Sequence, residues 1–140
     1  MKEISEDRVV CFDVDRTLVT FNWTPDQESE TVEIWKEGFV ERVLPHKKHI
    51  KLMREFKARG FFIIVWSDGG KDWAKKVAEV LGLSAYVDIV CSKPLWYVDD
   101  VPANKWMMQR VYKKEFLNEH MEGEDSDKTW KTVYTDEEKE

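Results

Sequence analysis

The chain has little that would tie a fold together covalently or interrupt it. Its 140 residues include 2 cysteines, 4 prolines and 6 glycines. Cys11 and Cys91 are far apart and match no paired zinc or redox spacing, so both are expected to be reduced, buried thiols. Proline and glycine are too scarce for a collagen-like or low-complexity chain. No apolar run approaches the roughly 20 residues of a membrane-spanning helix. The opening Met1-Lys2-Glu3-Ile4-Ser5-Glu6-Asp7 has no apolar core of the secretion-signal kind. These absences predict a cytoplasmic protein with no membrane partner.

What is present suits one globular domain. Hydrophobic residues make up 42% and charged residues 36%, which excludes wholesale disorder. The net charge of −6 is unevenly placed. Residues 119–140 carry nine acids against three bases, so residues 1–118 are neutral. The expected organisation is a domain over 1–118 followed by an acidic, loosely docked tail over 119–140.

The apolar pattern alternates between strands and helices. Arg8–Phe12 reads as a strand buried on both faces, ending in Asp13-Val14-Asp15. Val32 and Ile34, then Phe39 to Leu44, flank the turn signal Lys36-Glu37-Gly38 and predict a hairpin. Pro45 opens a helix that runs to Gly60, and Phe61–Trp66 is the clearest strand, leading into Ser67-Asp68-Gly69-Gly70. Ala74, Val77, Ala78 and Leu81 keep helical spacing. Tyr86–Cys91 and Leu95–Val98 predict two more strands, and Pro102 to Leu117 a last helix. The fold class expected is α/β: a doubly wound, Rossmann-like parallel sheet, helices on both faces, with a small flap at about 17–44.

The polar residues fall at strand ends. Asp13 and Asp15, Ser67, Lys93, and Asp99 with Asp100 each sit at or just past the C-terminal end of a predicted strand. In an open parallel sheet those ends face one crevice, where ligands bind. Four carboxylates there repel one another unless a hard cation joins them, so the cluster predicts Mg²⁺. Each group also has a plainer reading: Ser67 or Asp100 as a helix cap, Lys93 as surface decoration.

The segment Asp13-Val14-Asp15-Arg16-Thr17-Leu18-Val19 resembles the first motif of the haloacid dehalogenase-like (HAD) hydrolases. Ile63-Ile64-Val65-Trp66-Ser67 is similar to their second motif, Lys93-Pro94 to the third and Tyr97-Val98-Asp99-Asp100 to the fourth, in the same order. Arg16 stands where glycine is commonest, Ser67 is followed by Asp68-Gly69, and Lys93 lies close before Asp99. The resemblance implies a phosphatase in which Asp13 is the nucleophile and Asp15 the acid and base. Ser67, with the backbone of Asp68 and Gly69, and Lys93 would hold the phosphoryl oxygens. The carboxylates of Asp13 and Asp99 and the backbone carbonyl of Asp15 would hold Mg²⁺, with Asp100 supporting it directly or through water. A lid in this family is inserted between motifs, and only residues 16–44 are free for one. That is enough for a flap, so the site is expected to stay partly open to a bulky phosphorylated substrate.

Two rival functions fit the same residues. One is a phosphatase acting on nucleic-acid ends, the other a non-hydrolytic phosphoacceptor or binding domain. The stripe Lys47, Lys51 and Arg54 suits a nucleic-acid backbone but reads more simply as a solvated helix face. His46 and His49 have the spacing to share a metal yet lack a third ligand, and are expected to be solvated. Of the seven tryptophans, Trp66 and Trp96 fall near the motif ends and Trp23 and Trp35 in the hairpin; most of the seven are expected in the core, with one or two walling the site.

Overall fold

The fold is a computed structural model that describes residues 5–107, 109–116, 119 and 131–134. It comprises two compact units, Met1–Lys93 and Pro94–Glu140.

In the first unit, β1 (Ser5–Asp13), β5 (Phe61–Ser67) and β6 (Ile89–Ser92) form a parallel sheet in the order β1-β5-β6. Phe12 pairs with Val65, Asp13 with Trp66, and Ser67 with Ser92. Two helices make the crossovers, α1 (Lys47–Ala58) and α2 (Lys71–Val80). Met53 of α1 and Ala74, Val77 and Ala78 of α2 join Phe12, Ile63 and Val65 in one buried cluster. Both helices therefore cover the same face. Right-handed crossovers dictate this when the strand order advances in one direction.

The parallel sheet expected from the sequence is present. Helices on both of its faces are not found among the described residues. The other face carries Cys11, Phe62, Ile64, Trp66 and Cys91, all partly exposed. The cysteines stand on strands separated by β5, opposite Ile64 and Trp66, so they are more than roughly 9–10 Å apart, beyond the reach of a disulfide. Burial, with Cys91 adding to it, pushes the Cys11 thiol up to about 11.

The expected flap is also present. A second sheet, β2-β4-β3, consists of β2 (Val19–Thr20), β3 (Val32–Lys36) and β4 (Phe39–Pro45), all antiparallel. Lys36 pairs with Phe39 across a turn in which Gly38 takes φ +82°, a conformation that costs a side-chain-bearing residue energy. Ile34 and Val43 anchor this hairpin in the core.

Strand β6 starts three residues later than its sequence suggests. The Asp88 carboxylate accepts the Ile63 N–H (2.8 Å) and pairs with Lys57 (2.7 Å). A side chain thus takes a bond that the ladder would otherwise make.

The second unit departs further from expectation. Leu95–Val98 is not a strand, and Leu95, Trp96 and Val98 are 85%, 88% and 102% exposed. Pro94 brings no N–H, and the local bonds here go to side chains instead. Val101 N–H donates to Asp99 Oδ1 (2.9 Å) and Ala103 N–H to the Tyr97 hydroxyl (3.2 Å). The helix expected from Pro102 is a 3₁₀ turn, Ala103–Lys105, followed by β7 (Gln109–Tyr112). Strand β7 pairs in parallel with β8 (Lys131–Tyr134), within the stretch read as a tail. Val111 and Tyr112 favour strand, and a pairing segment some twenty residues on lets that preference prevail. Leu117 lies outside the described residues. No described helix is long and apolar enough to cross a membrane.

Candidate active site

Where β1 ends, the chain folds tightly back on itself. The Val14 carbonyl accepts the N–H groups of Thr17 (3.1 Å), Leu18 (2.8 Å) and Val19 (3.2 Å), while Arg16 N–H donates to Val19 O (2.7 Å). Arg16 takes φ +63°, the one non-glycine residue with positive φ among the described residues. This is the left-handed region, which glycine enters freely and a side-chain-bearing residue enters at a cost. Val14, Leu18 and Val19 are fully buried. Their burial fixes the loop and leaves Asp13 and Asp15 at its edge.

Asp13 meets Lys93, just past the end of β6, and Thr17 of its own loop. Lys93 Nζ lies 4.0 Å from Asp13 Oδ1, both side chains being partly exposed, at 40% and 30%. Lys93 N–H donates to Ser67 O (2.9 Å), so its short connection from β6 is pinned to the end of β5. The Thr17 hydroxyl approaches Asp13 Oδ2 at 3.4 Å. Burial pushes the Asp13 carboxyl above its ordinary 3.8; Lys93 and the Val14 backbone pull it down, and Asp15 and Asp68 push it up. Negative charge at Asp13 is thus undercompensated.

Ser67 is fully buried and sets the next loop. Its Oγ accepts the Gly69 N–H (2.9 Å) and its carbonyl the Gly70 N–H (3.1 Å). Ser67 therefore does not cap α2, whose N-cap is Gly70. Asp68 and Gly69 are the exposed residues of this loop. A Cβ on Gly69 would lie 3.0 Å from Trp73 Cδ1 and 3.3 Å from Ser67 Oγ, so a side chain there would press on both.

Asp15 is held by a residue that the motif pattern does not reveal. The Trp73 indole N–H donates to Asp15 Oδ1 at 2.8 Å. Trp73 is buried in the first turn of α2. Phe21 stacks on its ring (centroids 6.3 Å apart, planes 18°), and Lys36 Nζ lies 4.4 Å from the ring centroid. Trp73 stands four positions before Val77, so periodicity marks it as core. Its polar partner comes from tertiary packing and leaves no sequence signal.

His46 and His49 are buried, not solvated as expected, each only 1% exposed. Their rings stack at 3.8 Å. His46 Nδ1 accepts the His49 N–H (3.2 Å) and caps α1, and His49 Nδ1 lies 2.6 Å from Thr17 O. The pair links α1 to the loop that carries Asp13. Lys47, Lys51 and Arg54 are exposed, with Lys47 on Glu30 (2.8 Å) and Arg54 over the Tyr86 ring.

The structure thus brings together Asp13, Asp15, Ser67, Asp68, Gly69 and Lys93. Asp99 and Asp100 belong to the second unit, where both are exposed. Among the described residues, no group of three or more His, Cys, Asp or Glu is arranged to hold a metal ion. Trp23 donates to Arg42 O (3.2 Å), pinned within the flap, while Trp35 is 66% exposed and Trp96 is exposed in the second unit. No family model, curated protein or solved structure matches this chain.

Proposed function

We propose that the chain is a Mg²⁺-dependent phosphomonoesterase of the haloacid dehalogenase-like type, working through an aspartyl-phosphate. The observation that carries this reading is the Asp13 carboxylate at a parallel strand end. It is raised by burial, with an ammonium 4.0 Å away and a second carboxylate two residues on, held by an indole. A structural ion pair needs no such second acid.

The Asp13 carboxylate and the backbone carbonyl of Asp15 are oxygen ligands that fit a hard divalent cation and would help to hold it. When bound, Mg²⁺ supplies the positive charge that lets a carboxylate approach a phosphate. Asp13 attacks phosphorus as the bond to the leaving oxygen breaks, and Asp15 gives that oxygen its proton. Asp15 then takes a proton from water, which attacks the acyl phosphate and releases inorganic phosphate with Asp13 regenerated. Lys93 offsets the charge of the phosphoryl oxygens, and the Ser67–Gly69 loop lies beside them.

The test is a screen of phosphorylated sugars, nucleotides and oligonucleotides with and without Mg²⁺. Release of phosphate that EDTA abolishes supports the reading. Absence of turnover on every class with Mg²⁺ present contradicts it.

A further inference from the structure

In the proposed reaction Asp15 protonates the leaving oxygen, so the groups around Asp15 are those the leaving group meets. They are aromatic and cationic. Trp73, bonded to Asp15 Oδ1 at 2.8 Å, lies under Phe21 at 18° between planes and beneath the Lys36 ammonium at 4.4 Å. The same ammonium stands 5.4 Å from the Phe39 ring. Phe21 is 42% exposed and Phe39 51% exposed, although both are large apolar rings beside a polar site.

The chain builds this cluster from three places. Phe21 follows β2, Lys36 and Phe39 face each other across the flap's turn, and Trp73 opens α2. Because Phe21 is held nearly parallel to a buried indole, a further flat ring can continue the stack on its exposed side. Lys36 adds positive charge over the same rings. Rings and an ammonium suit a flat π-system joined to a negatively charged phosphate and give a polyol little to bond.

We propose that the site takes phosphomonoesters whose leaving group carries a planar heteroaromatic base, stacked on Phe21: a nucleotide, free or at the end of a strand. This rests on the phosphatase reading above. It also suits a site covered only by a flap, because a stacked base shields the phosphoryl group that no lid encloses.

The experiment compares kcat/KM for 3′- and 5′-AMP, a terminally phosphorylated oligonucleotide and glycerol phosphate, in the wild type, Phe21→Ala and Phe21→Trp, with Mg²⁺. Calorimetric binding of AMP is measured on the same proteins. Removing one base–ring stack lowers affinity by about 5- to 150-fold. The expected result is a nucleotide-to-glycerol-phosphate ratio that falls at least tenfold in Phe21→Ala and survives in Phe21→Trp. Higher efficiency on AMP than on the oligonucleotide identifies the free nucleotide as the source, and the reverse identifies the strand end. A ratio unchanged in Phe21→Ala, or a wild type that prefers glycerol phosphate, overturns the proposal. If nothing is hydrolysed while AMP binding still depends on Phe21, the base platform stands and the phosphatase reading fails. If AMP neither binds nor reacts, both fail.

Discussion

The indole N–H of Trp73 holds the carboxylate of Asp15 at 2.8 Å across 58 positions of sequence. One donor fixed in the core thereby aims the group that, in the proposed reaction, must give and then take a proton. One carboxylate oxygen is bonded to the core and the other remains for that transfer. The same indole carries the flap residues Phe21 and Lys36, so the flap and the acid share a support.

Trp73→Phe keeps a ring and removes the N–H. Losing a hydrogen bond to a charged group is worth about 1.5–3 kcal/mol, so kcat should fall about 10- to 100-fold. KM should move little, since the group affected is Asp15 rather than a phosphate contact. Unchanged kcat in a folded Trp73→Phe protein would show that Asp15 needs no such support.

The stacked histidines should matter for stability. His46 caps α1 through Nδ1, and His49 reaches the carbonyl of Thr17. His46→Ala should cost at least about 0.5–2 kcal/mol by loss of the cap, and His46→Asn should recover part of it. Urea unfolding measures both. An alanine variant as stable as the wild type would contradict the capping role.

Asp13 should oppose folding at neutral pH. Its folded carboxyl is raised above its ordinary value, chiefly by burial, so the folded state holds the proton more tightly than the unfolded one. Stability from this group is complete below its ordinary range and is lost as pH rises through the folded value. In EDTA, Asp13→Asn should therefore melt above the wild type at pH 7, and the gap should close toward pH 3. A lower melting temperature for the variant at pH 7 would mean that Lys93 stabilises the carboxylate more than burial penalises it.

Much of the first unit was legible because its signals are local and mutually consistent. Phe61–Trp66 is short, apolar and bounded by turn signals, as a strand is, though only its Ile63 and Val65 face is buried, and Ala74, Val77 and Ala78 repeat at helical spacing above it. Asp13, Ser67 and Lys93 could be placed together because parallel strands deliver their C-terminal ends to one edge. Legibility ended where a partner, not a period, decides. Leu95–Val98 has a strand's composition but no ladder, and Val111 with Tyr112 found a strand beyond their own helix-like spacing. The bonds from Trp73 to Asp15 and from His49 to Thr17 join residues far apart in sequence. Local pattern carries no record of them.

In the proposed reaction Asp13 becomes phosphorylated and the acyl phosphate is then hydrolysed. Incubation with a radiolabelled phosphomonoester and Mg²⁺, an acid quench and peptide mapping would test it directly. The expected result is a transient, alkali-labile label on the peptide containing Asp13, absent in Asp13→Asn, together with multiple turnovers of phosphate in the wild type. Turnover that persists in Asp13→Asn within tenfold of the wild type, or a label that maps elsewhere, would contradict the role of Asp13. A stable label on Asp13 without turnover would instead mark a phosphoacceptor domain.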